Sequence, residues 1–265
     1  KSNRTLYKVS IFLLVIVAFS VFIGLETTLA DEAIKFGVHG PMTGPAAETG
    51  LAIKQASILA MEKINAEGGI LGKKIECIWG DTESKPEVGV SVYERFITRN
   101  KVDVVIGGLH SSVAIAMMET ASKYDTLYFS GAPVSEIIAR KIEENPKKFW
   151  NVFKGDVSSD VYGPGCIDVV NYLGEKGLFI PEKKTFVTIT EDSDFGRPIA
   201  EVIANSMGGD GWKELAREFI KIGQADYTAQ MSKFRALKPA VIFSIQTSVA
   251  AAASFCKTFY ELGPS

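Results

Sequence analysis

Beyond residue 30 the hydrophobic and polar positions of the chain switch repeatedly between a period of two and a period near 3.6. Ile34-Lys35-Phe36-Gly37-Val38 reads as a strand running into the turn-rich Gly40-Pro41-Met42-Thr43-Gly44-Pro45. A long helical pattern follows, with Ile53, Ala56, Ala60 and Ile64 three and four apart on one face. It stops at Glu67-Gly68-Gly69, where glycine adopts the left-handed geometry of a C-cap. Residues 74–79 predict a second strand, and Pro86 is placed to open the next helix, whose buried stripe is Val88, Val92 and Phe96. Val102-Asp103-Val104-Val105-Ile106 is short, apolar and β-branched, as expected of a strand covered on both faces. Gly107-Gly108-Leu109-His110-Ser111-Ser112 leads into a helix reaching about Tyr124, and residues 126–130 predict a fourth strand.

The composition shifts near Asn145-Pro146-Lys147-Lys148, and Trp150-Asn151-Val152-Phe153 looks like a crossing strand. A second series follows: helix over about 158–176, strand over 184–190, helix from Phe195 to Gly208-Gly209, strand over 212–220, helix over 227–237, strand over 240–245 and helix over 249–262. Alternation of this kind implies right-handed crossovers and parallel sheets. The expectation is an α/β protein of two doubly wound lobes, the first over 31–150 and the second over 151–265, each incomplete. Glu261-Leu262-Gly263-Pro264-Ser265 reads as a helix stop with the next strand missing, so a C-terminally truncated chain is expected.

The first thirty residues follow a different pattern. Lys1, Arg4 and Lys8 precede an almost wholly apolar run from Val9 to Gly24, and Thr28 and Ala30 offer small residues before Asp31. This is the layout of a secretory signal peptide over 1–30, with an uncleaved N-terminal anchor as the alternative. The chain begins with Lys, which reads as a clipped start, and no Cys follows the apolar run to accept a lipid. Export to the periplasm or the cell exterior follows.

Composition narrows the chemistry further. Among 265 residues the formal net charge is −2, so nothing predicts a nucleic-acid partner. Cys77, Cys166 and Cys256 show no CxxC pair, which leaves one disulfide or isolated buried thiols. Only His39 and His110 are present, and HExxH, GxSxG and GxxxxGK[ST] are absent, so no metal, no cofactor and no enzyme activity is expected. Glu191-Asp192-Ser193-Asp194 lacks the glycine and terminal Glu of a calcium loop and reads as a solvated strand-end loop. In doubly wound sheets ligands bind at the C-terminal strand ends. Ser111-Ser112, at the start of a helix after a Gly-Gly turn, suits either a carboxylate held by free amides and hydroxyls or plain helix capping. The 40–45 loop divides in the same way between a ligand-lining role and an ordinary turn.

Taken together, the Gly40–Pro45 loop, Ile64-Asn65-Ala66-Glu67-Gly68-Gly69-Ile70-Leu71-Gly72-Lys73, Asp81 with Pro86, Val105-Ile106-Gly107 with Ser111-Ser112, and Glu191-Asp192 with Phe195-Gly196 resemble the type I periplasmic solute-binding proteins, particularly the leucine/isoleucine/valine-binding branch. The resemblance runs from about Ile34 to Gly263. It implies a hinged, Venus-flytrap pair of lobes that closes on a small solute and presents it to an ABC permease, acting as a monomer; a ligand-sensing receptor domain uses the same fold. It also implies Ser111 and Ser112 as the anion site, a backbone carbonyl at Ala132, and Thr49, Phe195, Gln246 and Thr247 lining the rest. Val134 stands where the family carries a threonine hydroxyl, which widens the expected solute from an amino acid to an amide or aromatic acid. The cysteine pair of the leucine-binding branch would fall near Ser84 and His110, so that disulfide is not expected.

Overall fold

The computed structural model describes residues 32–264. The proposed signal segment, residues 1–30, lies outside the described residues. Among the described residues eight strands and eight α-helices alternate. The first unit contains β1 (Ile34–Gly40), α1 (Ala47–Ala66), β2 (Ile75–Asp81), α2 (Pro86–Arg95), β3 (Val104–Gly107), α3 (Ser111–Ala121), β4 (Leu127–Ser130), α4 (Glu136–Glu144) and β5 (Val152–Lys154). The second contains α5 (Tyr162–Glu175), β6 (Thr185–Glu191), α6 (Gly196–Gly209), β7 (Lys213–Ile220), α7 (Thr228–Leu237), β8 (Val241–Ile245) and α8 (Val249–Leu262).

All strand pairs are parallel, in a five-stranded sheet ordered β2-β1-β3-β4-β5 and a three-stranded sheet ordered β7-β6-β8. Two sequence expectations shift here. The segment read as a crossing strand is β5, which pairs with β4 through Tyr128↔Val152 and Ser130↔Lys154. The first sheet therefore extends through Lys154, past the division expected at residue 150. Before it lies α4, which the periodicity reading passed over; Ser135 caps it, accepting from the Ile137 amide at 3.3 Å.

One face of the first sheet carries the main core. Tyr93 and Val92 from the end of α2, and Phe96 just beyond it, pack with Val113, Met117 and Met118 of α3, Val105 of β3 and Tyr128 of β4. Two glycines make room for this. A Cβ on Gly37 would lie 2.7 Å from the Phe96 ring, and one on Gly80 would lie 2.3 Å from Val92 Cγ1 and 2.6 Å from the same ring. The ring thus rests directly on the backbone of β1 and β2. In the second unit, Phe186, Ile199, Ile203 and Met207 form one cluster, and Val187, Ile189, Tyr227, Met231 and Phe234 form another. No helix among the described residues is long and apolar enough to cross a membrane.

Candidate functional site

Each sheet has one point at which successive connections leave in opposite directions. In the first it lies between β1 and β3, and in the second between β6 and β8. Such switch points open a crevice at the C-terminal strand ends. In this fold the two crevices face each other. The Ser248 hydroxyl, after β8, donates to the Pro45 carbonyl, after β1, at 2.8 Å. His110 Nε2, after β3, lies 3.2 Å from Thr247 Oγ1. Gly223 abuts the Pro45 ring so closely that a Cβ there would come within 2.4 Å.

The first unit supplies two shaped loops. Asp81, at the end of β2, accepts from the amides of Met42 (2.8 Å), Thr43 (3.3 Å) and Glu83 (2.9 Å) and from the Thr43 hydroxyl (2.6 Å), pinning the 40–45 turn. Burial opposes the charge on Asp81, but the bonds from Thr43, Glu83 and Met42 outweigh it and hold the carboxyl below its ordinary range. The other loop passes through Gly107 at φ +115°, where a side chain would strike the His39 carbonyl at 2.4 Å. His39 is fully buried beneath this turn, and burial pushes its imidazole down to about 3.

Ser111 is the first residue of α3, and the N-cap position belongs to His110, whose side chain makes no capping bond. Plain serine capping is therefore not its role. The buried Ser111 hydroxyl instead accepts from the Ser135 amide at 3.2 Å, tying the helix start to the loop after β4. Ser112 is half-buried beside it. The start of α3, with no side-chain cap from its own Ncap residue, retains the donor character and positive dipole end that favour an anion.

The remaining expected residues divide. Ala132 and Thr49 are half-buried, the latter in the first turn of α1. Val134 is buried in the apolar cluster of the second unit that also holds Tyr162 and Phe195, so it seals the units together. Phe195, half-buried ahead of α6, meets Tyr162 edge-on with centroids 6.5 Å apart. Gln246 turns into its own unit, accepting from the Tyr227 hydroxyl at 2.6 Å and donating to Ser244 at 2.9 Å. Thr247 faces the seam.

Two participants escaped the sequence reading. Glu191 is 1% exposed, not solvated, and its carboxylate accepts from the Thr247 amide (2.8 Å) and hydroxyl (2.7 and 2.9 Å). Burial raises its pKa, opposed by the bonds from Thr247 and Ser248. His110 reaches Thr247 across the seam, and burial lowers its pKa to about 4. The one available signal for Glu191 was its place as the last residue of an otherwise uncharged strand. The neighbouring Asp192 pairs with Arg197 at 2.6 Å, and Ser193 accepts from the Phe195 and Gly196 amides at 3.3 and 3.2 Å. Among the described residues no group of three or more His, Cys, Asp or Glu could hold a metal. All three cysteines are free, with Cys77 and Cys166 half-buried and Cys256 exposed, so the expectation of buried thiols fails at Cys256.

Two parallel sheets whose switch points face each other across a seam define a bilobal α/β protein. The chain belongs to the periplasmic binding protein family, whose model matches residues 33–265. It is 26% identical over 211 residues to the Leu/Ile/Val-binding protein homolog 2 of Brucella abortus, covering 79% of this chain and 52% of that protein. An amino acid binding protein of Pseudomonas aeruginosa is 29% identical over 230 residues, covering 85% of this chain and 57% of the relative. Among solved structures, the branched-chain amino acid transporter substrate binding protein of Streptococcus pneumoniae, in complex with isoleucine, superposes with a TM-score of 0.65 at 25% identity, covering 80% of this chain and 57% of that one. The chain spans about half the length of the curated relatives it matches.

Proposed function

We propose that the protein is the extracytoplasmic solute-binding component of an ABC importer, holding a small carboxylate-bearing solute between its two units. The carrying observation is that the anion-favouring start of α3, with Ser111 and Ser112, lies at the seam where His110 meets Thr247 of the opposite unit. A solute carboxylate at Ser111, with its remainder against Ala132, Thr49, Phe195 and Thr247, touches both units and so favours the closed form by its differential affinity. No covalent chemistry enters this cycle. A branched-chain or other amino acid, a related amide or an aromatic acid fits the reading, and the isoleucine held by the pneumococcal neighbour supports the first of these. The apolar leader read from residues 9–24 supports an extracytoplasmic site of action, from which the protein, as a monomer, delivers its solute to a membrane permease.

The test is a thermal-shift screen of the full-length protein against amino acids, amides and aromatic acids, since a ligand bound only by the folded state raises the midpoint. At least one such solute raises it, and Ser111→Ala weakens that solute by roughly tenfold or more, the loss expected for a hydrogen bond to a charged group. A screen without any hit, unchanged affinity in Ser111→Ala, or chemical turnover of the solute would each overturn the reading.

A further inference from the structure

Among the contacts that cross the seam is a side-chain pair whose hydrogen-bond directions can be assigned. We propose that His110 and Thr247 form a clasp joining the two units in the absence of solute, and that Glu191 is its positioning residue, acting through the Thr247 hydroxyl. The proposal rests on reading the seam as the solute cleft, but it concerns the solute-free protein.

Hydrogen-bond arithmetic carries the argument. A threonine hydroxyl has one proton and two lone pairs, whereas a carboxylate only accepts. Thr247 Oγ1 lies 2.7 and 2.9 Å from the two Glu191 oxygens, and the Thr247 amide donates to the same carboxylate at 2.8 Å. The hydroxyl proton is therefore committed to Glu191, and the lone pairs are left to face His110 Nε2 at 3.2 Å. His110 must then donate from Nε2, which fixes its tautomer and leaves Nδ1 as the unprotonated nitrogen. That buried Nδ1 has no hydrogen-bond partner, so the ring's polar engagement is the bond across the seam. With its amide and hydroxyl both held by Glu191, Thr247 cannot swing away without breaking bonds within its own unit. Glu191 thus aims the acceptor that His110 finds.

The clasp sits beside the proposed anion site, since His110 immediately precedes Ser111 and Thr247 immediately precedes Ser248, the cap of α8. Closing it sets the start of α3 against the start of α8. A protein that already populates this geometry has less closure to drive when solute arrives, and its apparent affinity rises with the closed fraction.

The experiment measures distance distributions between spin labels on the two units of the solute-free, full-length protein. Labels replace the exposed Leu59 and Tyr172 in a background with Cys77, Cys166 and Cys256 changed to serine. Thr247→Val, nearly isosteric but without the hydroxyl, is expected to lower the closed-to-open ratio about fivefold, the worth of one ordinary net hydrogen bond. Thr247→Ser, which keeps the hydroxyl, stays at the wild-type ratio and controls for disturbed folding. Glu191→Gln lowers the ratio in the wild-type background and has no further effect in Thr247→Val, as expected for a residue acting through that hydroxyl. An unchanged ratio in Thr247→Val, an equal drop in Thr247→Ser, or a Glu191→Gln effect that persists in Thr247→Val would overturn the clasp. Because no solute is present, these outcomes are read separately from the solute screen, and either reading can fail alone.

Discussion

Helices α1 and α2 lie on opposite faces of the same five-stranded sheet, and their apolar stripes have different fates. Val92 of α2 and Phe96 just beyond its end are 5% and 0% exposed, enclosed by α3 and by the bare backbone at Gly37 and Gly80. On α1, Ala56 and Ala60 are exposed, Ile53 and Ile64 are half-buried, and only Gly50 is fully buried. Together with Phe36, Ile75 and Ile106 of the sheet, Ala56, Ala60 and Ile64 line an open apolar groove. Spacing alone places both stripes toward the sheet. What differs is a neighbour: α2 and α3 share one cluster, and α1 borders open space. Periodicity reports where a helix points its apolar side, and enclosure needs a further element to arrive.

Three measurements bear on this contrast. Phe96→Ala, on the enclosed face, is expected to cost about 3–5 kcal/mol, the usual range for deleting a buried aromatic ring, read from denaturant midpoints. His39 lies on the same enclosed face, in alternation with Gly37, and gives the next largest effect. Its folded pKa of about 3 is below the 6.5 of the unfolded state, so the unfolded chain binds the proton first. Its contribution is intact above pH 6.5 and is lost as pH falls toward 3, a drop on the order of a few kcal/mol. Thermal midpoints taken between pH 7 and 4 should show this slope, and His39→Leu should flatten it. Glu191 works in the opposite sense, because a raised carboxyl pKa relieves its burial penalty on protonation. The smallest effect is expected for Ile64→Ala on the open face, under about 1.5 kcal/mol, because little of its surface leaves water. A cost matching that of Phe96→Ala would show that the groove is covered in the protein as it exists.

The same logic explains which parts of the site could be read in advance. The strand-end loops were legible because Gly-Gly, Gly-Pro and Ser-Ser runs after apolar strands mark them from local chemistry. Their pairings were not. Gln246 and Thr247 are adjacent in the chain and equally polar, yet one turns to Tyr227 within its unit and the other reaches His110 across the seam. Glu191 looked like part of an acidic, solvated loop with Asp192 and Asp194. Its burial depends on the amides of Thr247 and Ser248, more than fifty positions away. Val134, read as a lost hydroxyl in a pocket, proved to be an apolar seal against the second unit.

By itself the sequence determined the alternation of strands and helices, the parallel α/β class, the loops at the strand ends and the family, because period, propensity and turn chemistry act over a few neighbouring residues. It fell short at β5 and α4, where three strand residues and one short charged helix carry too little periodicity to show where they attach. Only the tertiary structure decided that β5 completes the first sheet, that the two switch points face each other, and that His110, Thr247 and Glu191 converge. The physical reason is that burial and hydrogen-bond partnership belong to pairs of distant segments. A carboxylate's charge state and a helix face's exposure are set by what packs against them.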